Sequence, residues 1–352
     1  MRIAVIVTTY NNEDSILKCL NSIQLFRKKL NKFDIRTILI DDASVDNTPE
    51  ILLEFSNETS LTEFKKYKTN KGVSRSRNYG ISKSLDSDYI IFVDGDDELK
   101  SNQADYLNKS KLENDLYTFD FSISDNKKVI QQNHLETAIV FNDKCISEYL
   151  FDYLIMPNKK LMFISCWAKL YKTKILKDNV NLRFKEGMKI NEDVHFVFSF
   201  MRKCKIIEYM NISIYNYNDN SNLLDRASFG VGSNVTQLFS IISALRQLRF
   251  YLIEKKQNID DVNSRIFHCI GAYTCIYSNR AWVRVHSFSD FVSLFYQMKE
   301  IYKKNIIKKS LKIYNVDKAG GNKAMSFFLK RKYFFIASIL SFIHSYKRYK
   351  WI

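Results

Sequence analysis

Three aspartates stand together in Asp94-Gly95-Asp96-Asp97, directly after the apolar run YIIFV. In an extended segment residues two apart share a side, so Asp94 and Asp96 converge, and Gly95 lets a ligand approach the backbone. Carboxylates clustered after a buried strand repel one another unless a cation compensates them. Hard oxygen ligands select Mg2+ or Mn2+, ions that bridge phosphate oxygens and stabilise a departing diphosphate. An exposed acidic turn is the competing reading, and the position at a strand end favours the metal. Asp41 and Asp42 close an earlier apolar run; they either cap the following turn or offer acceptors to a base or ribose. Between these acids lie Arg75, Arg77 and Asn78. A guanidinium presents phosphate with a fixed fork of donors. Arg77, beside Asn78, is the stronger candidate, and Arg75 reads equally well as solvated surface.

A second group is Asn191-Glu192-Asp193, which opens a helical pattern. A carboxylate in the first turn of a helix is held and kept ionised by the helix dipole, which suits a general base. Ordinary acids of a helix N-terminus are the plain alternative, with Asp193 ahead of Glu192 if either is catalytic. His195 follows two residues later and faces elsewhere on a helix. His134, His268, His286 and His344 show no ligand spacing, so no histidine receives a role.

Elements able to position these groups follow from periodicity. IAVIVTT is a continuous β-branched run of the kind buried on both faces of a parallel sheet. An Asn/Asp turn at 11–14 leads to a helix carrying Ile16, Leu17, Leu20 and Ile23. TILIDDAS is a second strand and 48–56 a second helix, with Pro49 in its first turn. A short helix follows TNKGVSRSRNYGIS, and YIIFVDGDDEL is a third strand ending in acids. Alternating strands and helices give an α/β start in which polar residues collect at the carboxyl edge of the sheet, where open α/β folds bind ligands. Further strands are expected near 115–123, 137–141 and 206–217, helices over 143–156 and from Asn191, and helical periodicity from about 233 to 313. The best composition break lies at 220–232.

The 352 residues allow one large domain or two ordinary ones. Charged residues make up 26% and the AVILMFWYC class 46%, which excludes a disordered polyelectrolyte and a bundle of membrane spans. Net charge is +16, but residues 301–352 hold 13 Lys/Arg against the single acid Asp317, so +12 of it sits in the last seventh of the chain. Six scattered cysteines without a CxxC pair read as buried free thiols in a reducing compartment. Arg2 and a strand-like run directly follow Met1 without a signal-peptide core, which predicts a protein that stays in the cytoplasm. Neither GxGxxG nor GxxxxGK[ST] is present, so phosphate charge must be met by other means.

Taken in order, VTTYNNED, IDDASVDNT, NKGVSRSRNYG, FVDGDD, CWAKLYKTKIL and NED resemble the family 2 glycosyltransferases of the GT-A fold, over roughly residues 1–217. That resemblance implies a Rossmann-like mixed α/β sheet flanked by helices. It also implies an inverting transfer from a nucleotide sugar, usually a UDP-sugar, with Mn2+ or Mg2+. Matching positions then take roles. Thr9 and Tyr10 would flank the base, Asp42 would contact uracil or ribose, and Arg77 would help hold the nucleotide. Asp94 and Asp96 match the DxD, with Asp96 the more direct metal ligand; Trp167 and Lys169 match a segment near the sugar and acceptor; Asp193 matches the general base. Two departures stand out. VTTY replaces a proline-containing stretch, and IYNYNDNSN replaces a basic YxxR-like stretch that reaches the diphosphate, leaving Arg226 or a C-terminal lysine to substitute.

The chain closes on MSFFLKRKYFFIASILSFIHSYKRYKWI. Its apolar run, 333–343, is too short to span a bilayer. Bracketed by Lys330-Arg331-Lys332 and Lys347-Arg348-Lys350, it resembles an interfacial anchor; a core helix with solvated basic ends is the alternative. Nucleic-acid binding ranks low because the aromatics are mixed with Ile and Leu. The expected organisation is a GT-A catalytic domain over 1–220, a mainly helical region over 221–325 and a basic aromatic tail over 326–352. The expected function is an inverting, metal-dependent glycosyltransferase building a cell-surface glycan such as capsule, O-antigen or lipooligosaccharide. Its acceptor could be lipid-linked and its workplace the inner face of the cell membrane. A non-catalytic membrane-surface assembly protein with a degenerate sugar-nucleotide site is the second hypothesis.

Overall fold

The computed structural model describes residues 1–124, 129–157, 159–188, 190–219, 233–282, 285, 287–319 and 323–349. Its elements begin with β1 (Arg2–Thr9), α1 (Ile16–Lys29), β2 (Asp34–Asp41), α2 (Thr48–Glu58), β3 (Thr62–Lys66), α3 (Val73–Lys83), β4 (Tyr89–Asp94), β5 (Glu98–Leu99) and α4 (Ala104–Lys109). There follow β6 (Leu116–Ser124), β7 (Val129–Gln132), β8 (Ile139–Phe141), α5 (Asp143–Ile155), β9 (Lys169–Lys172), α6 (Thr173–Asp178), α7 (Glu192–Met201) and β10 (Ile207–Asn218). The remainder is helical: α8 (Ser233–Glu254), α9 (Ile259–Ala281), α10 (Phe288–Lys303), α11 (Asn305–Ile313), α12 (Val316–Ala319), α13 (Lys323–Lys330) and α14 (Phe334–Tyr349).

Two compact units result. Met1–Asn142, Met162–Met188 and Glu192–Asn220 form the first; Asp143–Leu161, Lys189–Asn191 and Ser221–Ile352 form the second. The first unit is a mixed sheet in the order β3-β2-β1-β4-β9-β6-β10-β5, with β7 added to β6 and β8 to β10. Strands β3, β2, β1 and β4 run parallel, and β9 enters antiparallel between β4 and β6. Ile3, Ala4, Val5, Ile6 and Val7 of β1 are fully buried, as expected for a β-branched run covered on both faces. Register sets Thr9 beside Asp41 and Thr8 beside Asp94. The polar ends of β1, β2 and β4 therefore share one edge, and this is the α/β arrangement read from the sequence.

Short strands went unread. β3 (TEFKK) lacks an apolar alternation, and β5, β7 and β9 have two to four residues each, too few to show a period. The DGDD stretch also differs from expectation. β4 ends at Asp94, and residues 95–96 form a turn rather than a continuing strand, so the two-residue rule does not apply to Asp94 and Asp96.

In the second unit α5 packs on α9, with the Tyr153 and Tyr273 hydroxyls 3.1 Å apart and Arg265 over the Phe151 ring. Residues 143–161 therefore group with the C-terminal helices, whereas the sequence reading placed them within 1–220. The expected break at 220–232 lies outside the described residues, as does Arg226. Among the described residues no helix is long and apolar enough to cross a membrane. All six cysteines are free, and all but Cys145 are buried.

Candidate active site

At the end of β1, Thr9 is buried, and its hydroxyl donates to Asn12 Oδ1 at 2.7 Å. Tyr10 next to it is 47% exposed at the sheet edge. Asp41 is fully buried and accepts from the backbone N–H and the hydroxyl of Ser44, an Asx turn of the kind the acid pair allowed. Asp42 instead reaches across to the loop before α3 and accepts from the N–H groups of Lys71 and Gly72, both at 2.7 Å. Its carboxylate thereby fixes the start of the helix that carries Arg77. Ala43, next in sequence, sits at φ 68, a left-handed conformation that a non-glycine residue adopts only under surrounding constraint.

Helix α3 turns a polar face inward: Ser74, Ser76, Arg77 and Gly80 are buried. A Cβ at Gly80 would overlap the Ile6 side chain, so the glycine sets how closely α3 lies on β1. This close approach carries Arg77 into the molecule. Its guanidinium donates through Nη2 to Asp94 Oδ1 at 2.7 Å and through Nη1 to Asp193 Oδ1 at 2.5 Å and Glu192 Oε1 at 3.2 Å. The side chain is 4% exposed and lies over the Phe184 ring. Arg77 was expected to help hold the nucleotide. In the structure its two terminal nitrogens meet carboxylates and its side chain is buried. Its charge ties the acidic end of β4 to the first turn of α7.

The other half of the edge is held by β10. Asp97 is buried and accepts from the Tyr215 hydroxyl at 2.7 Å and the Asn218 N–H at 2.8 Å. The Asn218 side-chain amide donates to the Asp96 carbonyl at 2.8 Å and to Glu98 Oε1 at 3.0 Å. Asp97 is thus an internal anchor; burial first, then the charges of Asp96 and Asp94, raise its carboxyl above the usual range. Gly95 is explained by β1: a Cβ there would meet Cβ and Oγ1 of Thr9 at 2.7 Å. The close approach is made by Thr9, where the sequence reading had reserved it for a ligand.

Asp94 and Asp96 remain the candidates for a divalent cation. Asp96 presents an exposed side chain, yet crowding by protein atoms, together with the charge of Asp94, pushes its carboxyl up to about 6. That is the signature of clustered acids without enough compensating charge, and hard carboxylate oxygens are the donor set Mg2+ or Mn2+ prefers. Asp94 keeps Oδ2 clear of Arg77. No group of three or more His, Cys, Asp or Glu forms a cage among the described residues. An ion held by these two carboxylates would have to draw its remaining ligands from phosphate and water.

Helix α7 brings in Glu192 and Asp193 in its first turn. Burial, then the neighbouring charge of Asp193, push the Glu192 carboxyl up to about 8, outweighing Arg77; a side-chain hydrogen bond to Asp193 acts in the same direction. Glu192 therefore holds its proton more tightly than an ordinary carboxyl. Asp193 has Oδ1 on Arg77, and Oδ2 accepts a long contact from the Cys166 N–H, at 3.4 Å.

Trp167 and Lys169 occupy opposite faces of the segment entering β9. The Trp167 ring stacks on Tyr215 at 4.7 Å and 5°, and on Tyr217 at 5.8 Å and 15°. Lys169 is 1% exposed, with Nζ 3.3 Å from the Trp167 carbonyl and 3.5 Å from Ser165 Oγ. Burial pushes its amine down to about 7, against the opposing pull of Cys166 and Asp193. Ala168 between them has φ 53, which twists the two side chains apart. Tyr215, Tyr217, Asn218 and the Cys166 N–H were not identified from the sequence. Tyr215 and Tyr217 share one strand face, set by a register shift in β10 between Ser213 and Tyr215, and nothing local says that this face meets the acidic turn. His134 and His195 are pushed down, to about 3 and about 4, chiefly by burial, which favours their neutral forms.

Comparison with known proteins gives the arrangement a context. The family model described as glycosyl transferase family 2 matches residues 4–179. The poly(ribitol-phosphate) beta-N-acetylglucosaminyltransferase TarS of Staphylococcus aureus is 25% identical over 225 residues, covering 62% of this chain and 35% of that protein. Glycosyltransferase GlyA of Streptococcus pneumoniae is 29% identical over 232 residues, 64% of this chain and 32% of its own length. The matched stretch thus spans about a third of these two curated relatives. The crystal structure of S. aureus TarS 1-349 in complex with UDP-GlcNAc superposes with a TM-score of 0.61 at 18% identity, over 99% of this chain and 92% of that one. At that identity the likeness concerns the fold.

Proposed function

The chain belongs to glycosyl transferase family 2, and from that premise we propose that it transfers a sugar from a nucleotide sugar, of the UDP class, to a hydroxyl of a growing cell-surface glycan, with inversion at the anomeric carbon. The observation that carries this reading is the Asp94–Arg77–Asp193 linkage: two charge-assisted contacts, 2.7 and 2.5 Å, couple the acidic turn after β4 to the carboxylate in the first turn of α7. UDP-GlcNAc, the ligand in the TarS complex, is the first donor to test.

Each residue has a task in this reaction. Tyr10 offers an exposed ring against the base, Thr9 backs it, and Asp42 holds the loop leading to α3 while keeping lone pairs for uracil or ribose. Asp94 and Asp96 would hold Mg2+ or Mn2+, which supplies charge neutralisation for the diphosphate. The acceptor oxygen attacks the anomeric carbon as the bond from that carbon to the diphosphate oxygen breaks. Its proton passes to Asp193 Oδ2, and the bonding electrons leave with the diphosphate. Arg77 orients Asp193, protonated Glu192 supports it from the side, and Trp167 with Tyr217 offers aromatic faces to a sugar ring. The reading extends to an acceptor carried on a lipid and worked on at the inner face of the membrane.

The experiment is UDP release with a panel of UDP-sugars and glycan acceptors. Asp193→Asn is expected to lower kcat by about 10²–10⁴-fold, the usual worth of a positioned base, while UDP binding by calorimetry stays within a few-fold of the parent. Unchanged kcat in that variant would remove Asp193 from the mechanism.

A further inference from the structure

Helix α14 meets its own unit through small residues, Ala337, Ser338 and Ser341, each at most 1% exposed, and through the rings of Phe334 on Tyr302 and Phe342 on Phe291. Three of its large apolar residues nevertheless stay outside: Phe335 is 55% exposed, Ile336 41% and Ile343 43%. A core normally buries large side chains first, because they remove the most apolar area from water. The outward face continues onto α10, where the Phe335 ring lies 5.6 Å from Phe295, which in turn lies 5.5 Å from the exposed Tyr296. An apolar patch thus runs across two helices of the second unit.

Cations frame it. Lys299 lies over both the Phe295 and Tyr296 rings. At the turn between α13 and α14, Arg331 stacks over Phe327 at 3.7 Å, and exposed Lys332 and Tyr333 follow. Nearby acids are engaged, Asp290 in the capping box of α10, Glu300 with Lys303, and Asp317 with Lys323. With a surplus of +12 over residues 301–352, a second copy meeting this face would bring like charge against like. Exposed isoleucines among the rings do not suit a nucleic acid.

We propose that this face of α10, α13 and α14 docks on an anionic lipid bilayer, with Phe335, Ile336, Ile343 and Tyr296 entering the acyl boundary and Arg331 and Lys332 meeting the headgroups. It deepens the part of the functional reading that places the enzyme at a membrane surface and is independent of its chemistry. The docking element is a folded surface of three helices, where the sequence suggested a terminal tail.

The test is flotation of the full chain with vesicles of phosphatidylglycerol and phosphatidylcholine or of phosphatidylcholine alone. The parent is expected to bind the anionic vesicles and to be released by salt. The triple variant Phe335→Ser, Ile336→Ser, Ile343→Ser and the double variant Arg331→Glu, Lys332→Glu should each lose about tenfold or more of that binding, with UDP affinity unchanged by calorimetry. Equal binding by parent and variants, equal binding to neutral vesicles, or a parent dimer that the variants dissolve would each overturn the proposal. UDP affinity is read separately, so loss of docking and failure of the glycosyltransferase reading are distinguishable.

Discussion

Glu192 and Asp193 are neighbours in sequence with one methylene between them in chemistry, yet burial and an adjacent charge raise the Glu192 carboxyl well above its ordinary value. Glu192 faces the interior and lies beside an existing negative charge, so its proton leaves only at about 8, against an ordinary value of 4.5. The folded state then binds a proton that the unfolded chain releases. The stability this contributes is complete below pH 4.5 and is lost as pH rises through about 8. Glu192→Gln keeps the shape and a donor while removing the titration. Its melting temperature should exceed the parent's above pH 8, and the gap should close toward pH 4.5. A gap independent of pH would show that Glu192 does not hold a proton in the folded protein.

Among the elements, the acidic turn after β4 is governed by two strands that never adjoin it in sequence. β1 presses Thr9 against Gly95 with no room for a Cβ, and β10 supplies Tyr215 and Asn218 to Asp97 and to the turn carbonyl. Gly95→Ala is therefore expected to destabilise the protein by about 1–3 kcal/mol, the usual range for overpacking, and to lower sugar transfer by displacing Asp96. Chemical denaturation and UDP release measure the two effects. Loss of stability below about 0.5 kcal/mol would mean that Thr9 moves aside freely. The sequence showed a glycine among aspartates and invited a ligand into the space; strand packing fills that space with Thr9.

For the whole molecule, donor and cation should act as one ligand of the folded state. Binding at 100 times Kd stabilises by about 2.7 kcal/mol, so UDP with Mn2+ should raise the melting temperature by several degrees. Chelation should abolish both that shift and transfer, and UDP alone giving the full shift would exclude Asp94 and Asp96 as metal holders. Much of this architecture could be read in advance. Buried β-branched runs, helix-period stretches and acids at strand ends are local patterns, and they placed β1, β2 and β4 and their shared edge before any coordinates. The strands β3, β5, β7 and β9 were missed because a few residues cannot display a period. Residues 143–161 were assigned to the wrong part of the chain because packing against α9 leaves no mark in α5 alone. Composition located the positive charge in the last seventh of the chain but could not tell which side of α14 faces water. Residue types and order thus determine what chemistry is on offer here: a carboxylate pair for a cation, an acid at a helix start, an arginine between them. Their partnerships depend on approaches between residues 17 to 122 positions apart in the chain. Arg77 became a buried tie between acids because α3 lies close on β1, and the Glu192 carboxyl is raised because packing stripped it of water. Pair distance and desolvation are properties of a packed interior, and a linear chain does not carry them.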